Sequence, residues 1–230
     1  MVHGTYLDFF FPRYCPMCGK RLQRDEELVC LHCNIHLPRT GYFSKFDDNP
    51  ALRLFLSEPR IKRAAALMYH STGTDSAQVV YSMKYHGSYS ACRKMGRLIA
   101  YEAEQSGFFD GIDYIIPIPL TRERECHRGY NQTYHIAKGV SDVTGIKVLR
   151  SVLLRKDFTE SQTRLTVSER YRNVENAFQL RDSEIIKGKH VLLLDDVITT
   201  GATTMASARQ LLKAEDTVVS IVSVGFAGRG

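Results

Sequence analysis

The segment 191–204, VLLLDDVITTGATT, holds the residues best suited to chemistry in this 230-residue chain. Its first four residues are branched and apolar, which predicts a buried strand of a parallel sheet ending at two adjacent carboxylates, Asp195 and Asp196. A threonine-rich turn with Gly201 follows, and apolar periodicity then predicts a helix from about 203 to 213. Amides at a helix N-terminus bind phosphate, and carboxylates accept hydrogen bonds from sugar hydroxyls directly or through Mg²⁺. The segment therefore predicts a site for a phosphorylated sugar. The alternative is a buried strand followed by an ordinary turn with acid and threonine caps.

Four of the six cysteines form a second candidate site. They lie in two C-x2-C pairs with 11 residues between the pairs: Cys15, Cys18, Cys30 and Cys33. Each pair can present two thiolates to one ion, so the array predicts a closed tetrahedral Zn²⁺ site with a structural role. The alternatives are a metal-free redox pair, an iron site, or replacement of one thiolate by His32 or His36. Cys92 is expected to be a small buried residue and Cys126 a loop thiol.

Composition narrows the class of protein. With 43% apolar residues, the chain can bury one α/β core and carry a small appendage. No apolar run approaches the roughly 20 residues that span a bilayer, and the N-terminal TYLDFFFP is too short for a secretory signal, so we expect a cytoplasmic protein without a membrane span. The net charge is +6, and 11 Lys/Arg against 6 Asp/Glu fall between Arg122 and Arg172. This bias is compatible with polyphosphate or nucleic-acid partners.

Three regions follow from the pattern along the chain. Residues 1–40 are expected to form the zinc ribbon, and 41–60 a connector with a helix that starts at the N-cap Asn49 and Pro50. Residues 61–230 alternate strands and helices, which predicts an α/β domain with a parallel sheet and helices on both faces. Strands are expected at 113–116, 190–195 and 217–226, and TRERECHRGYNQ is expected to be a charged loop. The ligand crevice of such a sheet lies at the carboxyl ends of its strands.

Together these motifs resemble those of the ComF family, which joins a zinc ribbon to a type I phosphoribosyltransferase domain and is linked to natural competence. The resemblance rests on the four-cysteine array, MKYHG, IIPIPLTRERECHRGYNQ, SQTRLTVSERYRNVENAF and VLLLDDVITTGATT, which occur in the expected order. It extends to the transferase domain of glutamine-phosphoribosylpyrophosphate amidotransferase. It implies a type I phosphoribosyltransferase-like parallel sheet, with 5-phosphoribosyl-1-pyrophosphate (PRPP) and Mg²⁺ as ligands.

The segment 191–204 is similar to the PRPP loop of type I phosphoribosyltransferases. The resemblance assigns Asp195 and Asp196 to the ribose hydroxyls and Mg²⁺. It assigns the 5-phosphate to the turn and the start of the helix: Thr199, Thr200, Gly201, Ala202 and Thr203. In transferases for 6-oxopurines an aspartate of this loop acts as general base, whereas this chain has Thr199 there. Purine salvage of that type is therefore not expected.

The resemblance also assigns a pyrophosphate loop, 119–132. Arginines can bind pyrophosphate through bidentate, charge-assisted bonds, and amides add neutral ones. The candidates are Arg122, Arg124, Arg128, Gly129, Asn131 and Gln132. Because Glu123 and Glu125 alternate with the arginines, the alternative is a solvated basic loop.

The polar segment 155–178 occupies the position of the flexible loop that closes over the site in type I transferases. Closure excludes water from the reacting centre. The candidate ligand-facing residues are Gln162, Arg164 and Arg170. The alternative, which the sequence favours equally, is a helix cap and a solvated face.

Three functions are compatible with these features. The first is a phosphoribosyltransferase, amidophosphoribosyltransferase-like, with an unknown nitrogen acceptor. The second, which the ComF resemblance favours, is a PRPP-binding protein of DNA uptake whose phosphate sites and ribbon engage single-stranded DNA. The third is a regulator that senses PRPP. Tyr130 and Tyr134 could stack on bases, although core packing is the expected role of both.

Overall fold

Seven strands and seven helices make up the described parts of the chain. The computed structural model describes residues 12–85, 89–156 and 177–228. The strands are β1 (Ile61–Tyr69), β2 (Tyr114–Pro117), β3 (Lys147–Val148), β4 (Leu153–Arg155), β5 (Phe178–Leu180), β6 (His190–Ile198) and β7 (Val218–Phe226). The helices are α1 (Leu31–Ile35), α2 (Pro50–Arg53), α3 (Asp75–Tyr85), α4 (Tyr89–Ala103), α5 (Arg122–Arg128), α6 (Gln132–Thr144) and α7 (Ala202–Leu211), with a 3-10 helix at Tyr42–Lys45.

Five of the strands form one parallel sheet in the order β1-β7-β6-β2-β3. The apolar run at the start of β6 lies fully buried in the middle of this sheet. Strands buried on both faces carry continuous branched apolar runs, which is why this run predicts a parallel strand. The predicted α/β fold with a parallel sheet is confirmed.

The connections place helices on both faces and create a crevice. From β1 to β2 and from β2 to β3 the chain moves towards the β3 edge, whereas from β6 to β7 it moves towards the β1 edge. Because such crossovers are right-handed, the helices before β3 and the helix α7 lie on opposite faces. The direction of winding changes between β2 and β6, and ligands of open α/β sheets bind at such a switch point.

Helices α4 and α6 touch through their backbones. A Cβ at Gly139 would overlap the carbonyl oxygen of Arg93, and a Cβ at Gly96 would overlap that of Ile136. Small residues at both positions are therefore required for this close approach. The contact fixes the start of α6, which lies at the switch point.

The N-terminal region packs on the β1 edge and on α4. Residues 38–40 run antiparallel to the end of β1 through a bridge between Arg39 and Met68. Lys94 of α4 donates to the carbonyl oxygen of Glu27 at 2.9 Å, and Arg39 pairs with Glu102 at 2.9 Å. The predicted cap of α2 is confirmed, since the Asn49 side chain accepts from the amides of Ala51 and Leu52.

Two local expectations, the end of β6 and the charged loop, differ from the structure. The strand β6 continues past the acid pair to Ile198, because Asp195 and Val197 remain in register with Ser223 and Gly225 of β7. The expected charged loop contains the helix α5, which Thr121 caps and Gly129 ends in a left-handed conformation. The segment 147–155 divides between the parallel sheet (β3) and an antiparallel pair, β4 with β5.

Among the described residues, no helix is both long and apolar enough to cross a bilayer.

Candidate functional site

Asp195 and Asp196 lie at the switch point, and their side chains enter different surroundings. Successive side chains of a strand point to opposite faces of the sheet. Asp195 contacts α7 through Thr204, whereas Asp196 contacts Lys84 of α3 and Gln132 of α6. The two carboxylates therefore differ in environment although they are adjacent in sequence.

Asp195 is buried, and its carboxylate forms no ion pair with a cation of the described residues. Its oxygens accept from the Thr204 hydroxyl at 2.8 Å and from the Asp196 amide at 2.8 Å. Burial and the neighbouring Asp196 charge raise the pKa of Asp195 to about 7, against the lowering effect of these hydrogen bonds. The folded protein therefore favours the protonated form of Asp195 more than water favours that of an ordinary aspartate.

Asp196 belongs to a chain of paired groups. Its Oδ2 is 2.8 Å from Lys84 Nζ and accepts from Gln132 Nε2 at 3.0 Å, while Gln132 Oε1 accepts from Arg128 at 3.1 Å. Burial would raise the pKa of Asp196, but Lys84 and the hydrogen bonds from Gln132 and the Val197 amide outweigh it and lower that pKa. Asp196 is therefore the ionised member of the pair.

The threonine-rich turn leads directly from β6 into α7. Thr199 and Thr200 are exposed, and Gly201 has a φ of 75° and is the N-cap of α7. A Cβ on Gly201 would lie 3.1 Å from the Phe55 ring, so the residues after α2 pack under this turn. Ala202 and Thr203 begin the helix, where first-turn amides have no partner within the helix. This arrangement suits a phosphate group.

The predicted pyrophosphate residues lie in α5 and at the start of α6. Arg122 and Arg124 are exposed on α5, and Gly129 ends that helix. Asn131 is buried, and its side chain already has partners within the protein. It caps α6 and donates to the Ile118 carbonyl oxygen at 3.1 Å. Arg128 and Gln132 are connected to Asp196 as described above. The structure thus joins part of this set to the acid pair, and direct contact with pyrophosphate stays a prediction.

Three residues near the acids were not assigned from the sequence. Lys84 belongs to the MKYHG motif of the family resemblance, which was the available signal. Thr204 follows the assigned Thr203. Arg155 ends β4, and its charge interacts with those of Arg124 and Asp195. The predicted flexible-loop residues Gln162, Arg164 and Arg170 lie outside the described residues.

A cleft of about 420 Å³ opens beside Lys84, between α3 and the end of β1. His70 lines it, and within the described part of the chain its buried Nδ1 atom has no hydrogen-bond partner. Burial and the Lys84 charge lower the pKa of His70, partly offset by Asp196. The absence of a side chain at Gly225 makes room for this imidazole, since a Cβ there would lie 2.9 Å from His70 Cβ. A neutral imidazole and space for a small molecule therefore adjoin the acid pair.

Tyr130 and Cys92 have the expected core roles. Both are buried, the Tyr130 hydroxyl donates to the Met83 carbonyl oxygen at 2.5 Å, and the Cys92 thiol lies 3.7 Å from the same oxygen. Cys126 is exposed on the helix α5 instead of in a loop.

The four ribbon cysteines form one cluster. Their Sγ atoms lie within 4.8 Å of one another, and Cys18 Sγ is 3.6 Å from Cys30 Sγ. In a tetrahedral site with Zn–S bonds of about 2.3 Å, sulfurs lie about 3.8 Å apart, so the cluster fits a metal ion of this size. Burial raises the pKa of Cys15, but amides of Met17, Cys18 and Cys30 outweigh it and lower the pKa to about 7. His32 and His36 are outside the cluster.

Sequence comparison places this chain among known proteins. The phosphoribosyl transferase domain family matches residues 128–227. The DNA utilization protein YhgH of Escherichia coli O6:H1 is 26% identical over 202 residues, which cover 86% of this chain and 84% of that protein. Competence protein F of Haemophilus influenzae is 30% identical over 139 residues, which cover 59% of this chain and 61% of that protein. The chain is a homologue of these proteins and carries a phosphoribosyl transferase domain. The predicted resemblance to the ComF family is thus confirmed.

Among solved structures, the glutamine PRPP amidotransferase of B. subtilis, complexed with ADP and GMP, aligns with a TM-score of 0.43 and 18% identity. The alignment covers 62% of this chain and 30% of that chain.

Proposed function

We propose that the crevice between β2 and β6 binds PRPP together with Mg²⁺. The observation that supports this most strongly is the acid pair at the switch point, with Asp196 ionised beside Lys84 and Asp195 buried beside the start of α7. Ribose hydroxyls require acceptors, and the 5-phosphate requires the amides and hydroxyls that follow within a few residues. A ligand that carries both a ribose and a 5-phosphate fits acceptors and phosphate-binding groups that follow one another in this order along the chain.

In this proposal each part of PRPP has its own residues. Asp195 and Asp196 accept hydrogen bonds from the ribose hydroxyls and, with them, hold Mg²⁺, which would neutralise charge on the pyrophosphate when bound. The turn from Thr199 to Thr203 holds the 5-phosphate. Arginines of α5 bind the pyrophosphate and would stabilise the charge that develops if it leaves from ribose C1.

Calorimetric titration tests PRPP binding directly. The protein should bind PRPP in the presence of Mg²⁺ and bind it more weakly after chelation of the metal. Ribose 5-phosphate should bind more weakly than PRPP, because it lacks the pyrophosphate. Absence of PRPP binding with Mg²⁺ present would contradict the proposal.

We further propose that the protein acts in DNA uptake or use and that single-stranded DNA is a second ligand. The names of the homologues, DNA utilization protein YhgH and competence protein F, support this role. The positive charge concentrated between Arg122 and Arg172 supports it independently, because nucleic-acid binding depends on neutralising phosphates. The rival function is transfer of the phosphoribosyl group to a nitrogen acceptor, for which the cleft beside Lys84 provides space.

Salt dependence separates these functions. If DNA is a ligand, affinity for a single-stranded oligonucleotide should fall steeply with salt, and the log–log slope should shrink by roughly one for each phosphate-contacting Lys or Arg removed. If α5 serves pyrophosphate alone, Arg128→Ala should abolish PRPP binding and leave DNA affinity nearly intact. Undetectable or salt-insensitive DNA binding would contradict direct DNA handling, and pyrophosphate release with amines or bases would then identify a transferase.

For the ribbon we propose a structural Zn²⁺ bound by Cys15, Cys18, Cys30 and Cys33. The cluster geometry supports ligation of one ion by all four cysteines. Cysteine arrays that bind metal are typical of a reducing compartment, where disulfides are rare, so we place the protein in the cytoplasm.

A further inference from the structure

Arg155 carries a partly buried positive charge next to the acid-pair side of the sheet. It is the last residue of β4, where its guanidinium lies over the Phe178 ring of β5 at 5.2 Å from the ring centroid. Its Nε atom is buried and has no hydrogen-bond partner among the residues that the structure describes. Within the described ranges, its guanidinium is not part of a salt bridge. Buried N–H groups of this kind usually have partners, so a ligand is the natural candidate.

The charges around Arg155 favour an anion. Burial and the nearby Arg124 lower the pKa of Arg155, and Asp195 partly offsets them. Arg124 and Asp195, which belong to two other elements, therefore lie near enough to Arg155 for their charges to act on its guanidinium. A negatively charged group beside the two guanidinium groups would offset the repulsion between Arg155 and Arg124. It would also accept hydrogen bonds from the N–H groups of Arg155 that burial separates from water.

The position of Arg155 also fits the ends of the proposed ligand. The β4–β5 pair packs against α7, whose first turn is assigned to the 5-phosphate. Arg124 belongs to α5, which follows β2 on the other side of the switch point. Arg155 is thus influenced by one charge from the acid pair and one from α5, the two groups assigned to the ribose and to the diphosphate of PRPP.

We propose that Arg155 is a binding residue for the diphosphate of PRPP, an inference that rests on PRPP being the ligand of the crevice. A planar guanidinium forms paired bonds with phosphate oxygens, and its Nε–H is one of the donors used in such pairs. Arg155 therefore distinguishes PRPP and pyrophosphate, which carry this group, from ribose 5-phosphate, which does not.

A purely structural role for Arg155 makes a different prediction. If the residue only holds β4 and β5 together through its contact with Phe178, its replacement should lower the melting temperature and weaken all ligands alike. Arg155→Met keeps the apolar stem over the ring and removes the charge. Arg155→Lys keeps the charge and removes the fork of donors. Arg181→Ala is the matched control, because Arg181 is an exposed arginine directly after β5.

The experiment compares three ligands by calorimetry with Mg²⁺ present: PRPP, pyrophosphate and ribose 5-phosphate. Arg155→Met should weaken PRPP and pyrophosphate roughly 10- to 100-fold and change ribose 5-phosphate less than about twofold. Arg155→Lys should recover part of the pyrophosphate affinity, and Arg181→Ala should behave like the wild type. If Arg155→Met does not fold, Arg155→Lys provides the test. Weaker binding of PRPP and pyrophosphate by this variant, with ribose 5-phosphate binding unchanged, would support the inference.

Two outcomes would overturn the inference. In the first, the wild type binds PRPP and the Arg155 variants bind PRPP and pyrophosphate equally well. In the second, the variants lose all three ligands together with thermal stability. If the wild type binds no PRPP at all, the proposed function itself fails, and this result is distinguishable because no variant is needed to observe it.

Discussion

Asp195 and Asp196 show how one position in a strand changes the chemistry of a carboxylate. Asp196 contacts Lys84 and Gln132 and is ionised. Asp195 accepts hydrogen bonds from a hydroxyl and a backbone amide, and its pKa is raised to about 7. The pair therefore combines a fixed charge with a group that a cation or ligand can deprotonate. Lys84 neutralises Asp196 within the protein itself.

The raised pKa of Asp195 predicts a change of stability with pH. The folded protein holds this proton up to about pH 7, whereas an ordinary aspartate releases it near 3.8. Stability should therefore fall as pH rises between these values, because the folded state binds more protons there. Asp195→Asn removes this penalty and keeps the hydrogen bond with Thr204, since a hydroxyl can accept as well as donate.

We expect Asp195→Asn to raise the melting temperature by on the order of 5 °C at pH 8, with a smaller difference at pH 5. Thermal unfolding between pH 5 and 8.5 measures this, with Asp182→Asn, an exposed aspartate, as control. A difference between variant and wild type that is independent of pH would contradict the assignment.

Helix α6 holds Gln132 beside Asp196, and its backbone packs directly against that of α4. The two glycines that permit this contact are Gly96 and Gly139. Gly139→Ala should push α6 away, destabilise the protein by about 1–3 kcal/mol or more, and weaken PRPP binding through displaced Gln132. Chemical denaturation and calorimetry measure the two effects. Ser141→Ala on the same helix should change neither, and a Gly139→Ala protein with wild-type stability would show that the contact is looser than described.

The ribbon should depend on its metal more than the sheet does. Cys30→Ser should release about one Zn per chain and increase hydrogen exchange over residues 12–40, while the sheet stays protected. Metal analysis and hydrogen exchange measure these outcomes, and Cys126→Ser, which changes an exposed thiol outside the cluster, should retain the metal. A metal-free ribbon with wild-type protection would contradict the zinc proposal.

Across the whole molecule, sequence patterns predicted the features that depend on local order. The buried run before Asp195, the two cysteine pairs and the Asn49 cap each depend on neighbouring residues, and the structure agrees with all three. The helix α5 was missed because its alternating charges obscure any apolar face. Its cap at Thr121 and its end at Gly129 were nevertheless visible in the sequence.

Features that depend on distant segments could not be predicted. Lys84 pairs with Asp196 because the end of α3 lies beside the carboxyl end of β6. Arg155 lies near Asp195 because the β4–β5 pair packs on α7. No periodicity or spacing encodes such contacts. The switch point likewise follows from the strand order, since it requires knowing that β6 lies beside β2.

The central claim is that the acid pair makes this crevice a PRPP site. Titration of PRPP with Mg²⁺ into the wild type and into the double variant Asp195→Asn, Asp196→Asn tests it most directly. We expect the double variant to bind PRPP much more weakly, by about 1.5–3 kcal/mol for each lost charge-assisted bond, while it remains folded. Equal affinity of a folded double variant and the wild type would contradict the claim and leave the acid pair with a structural role only.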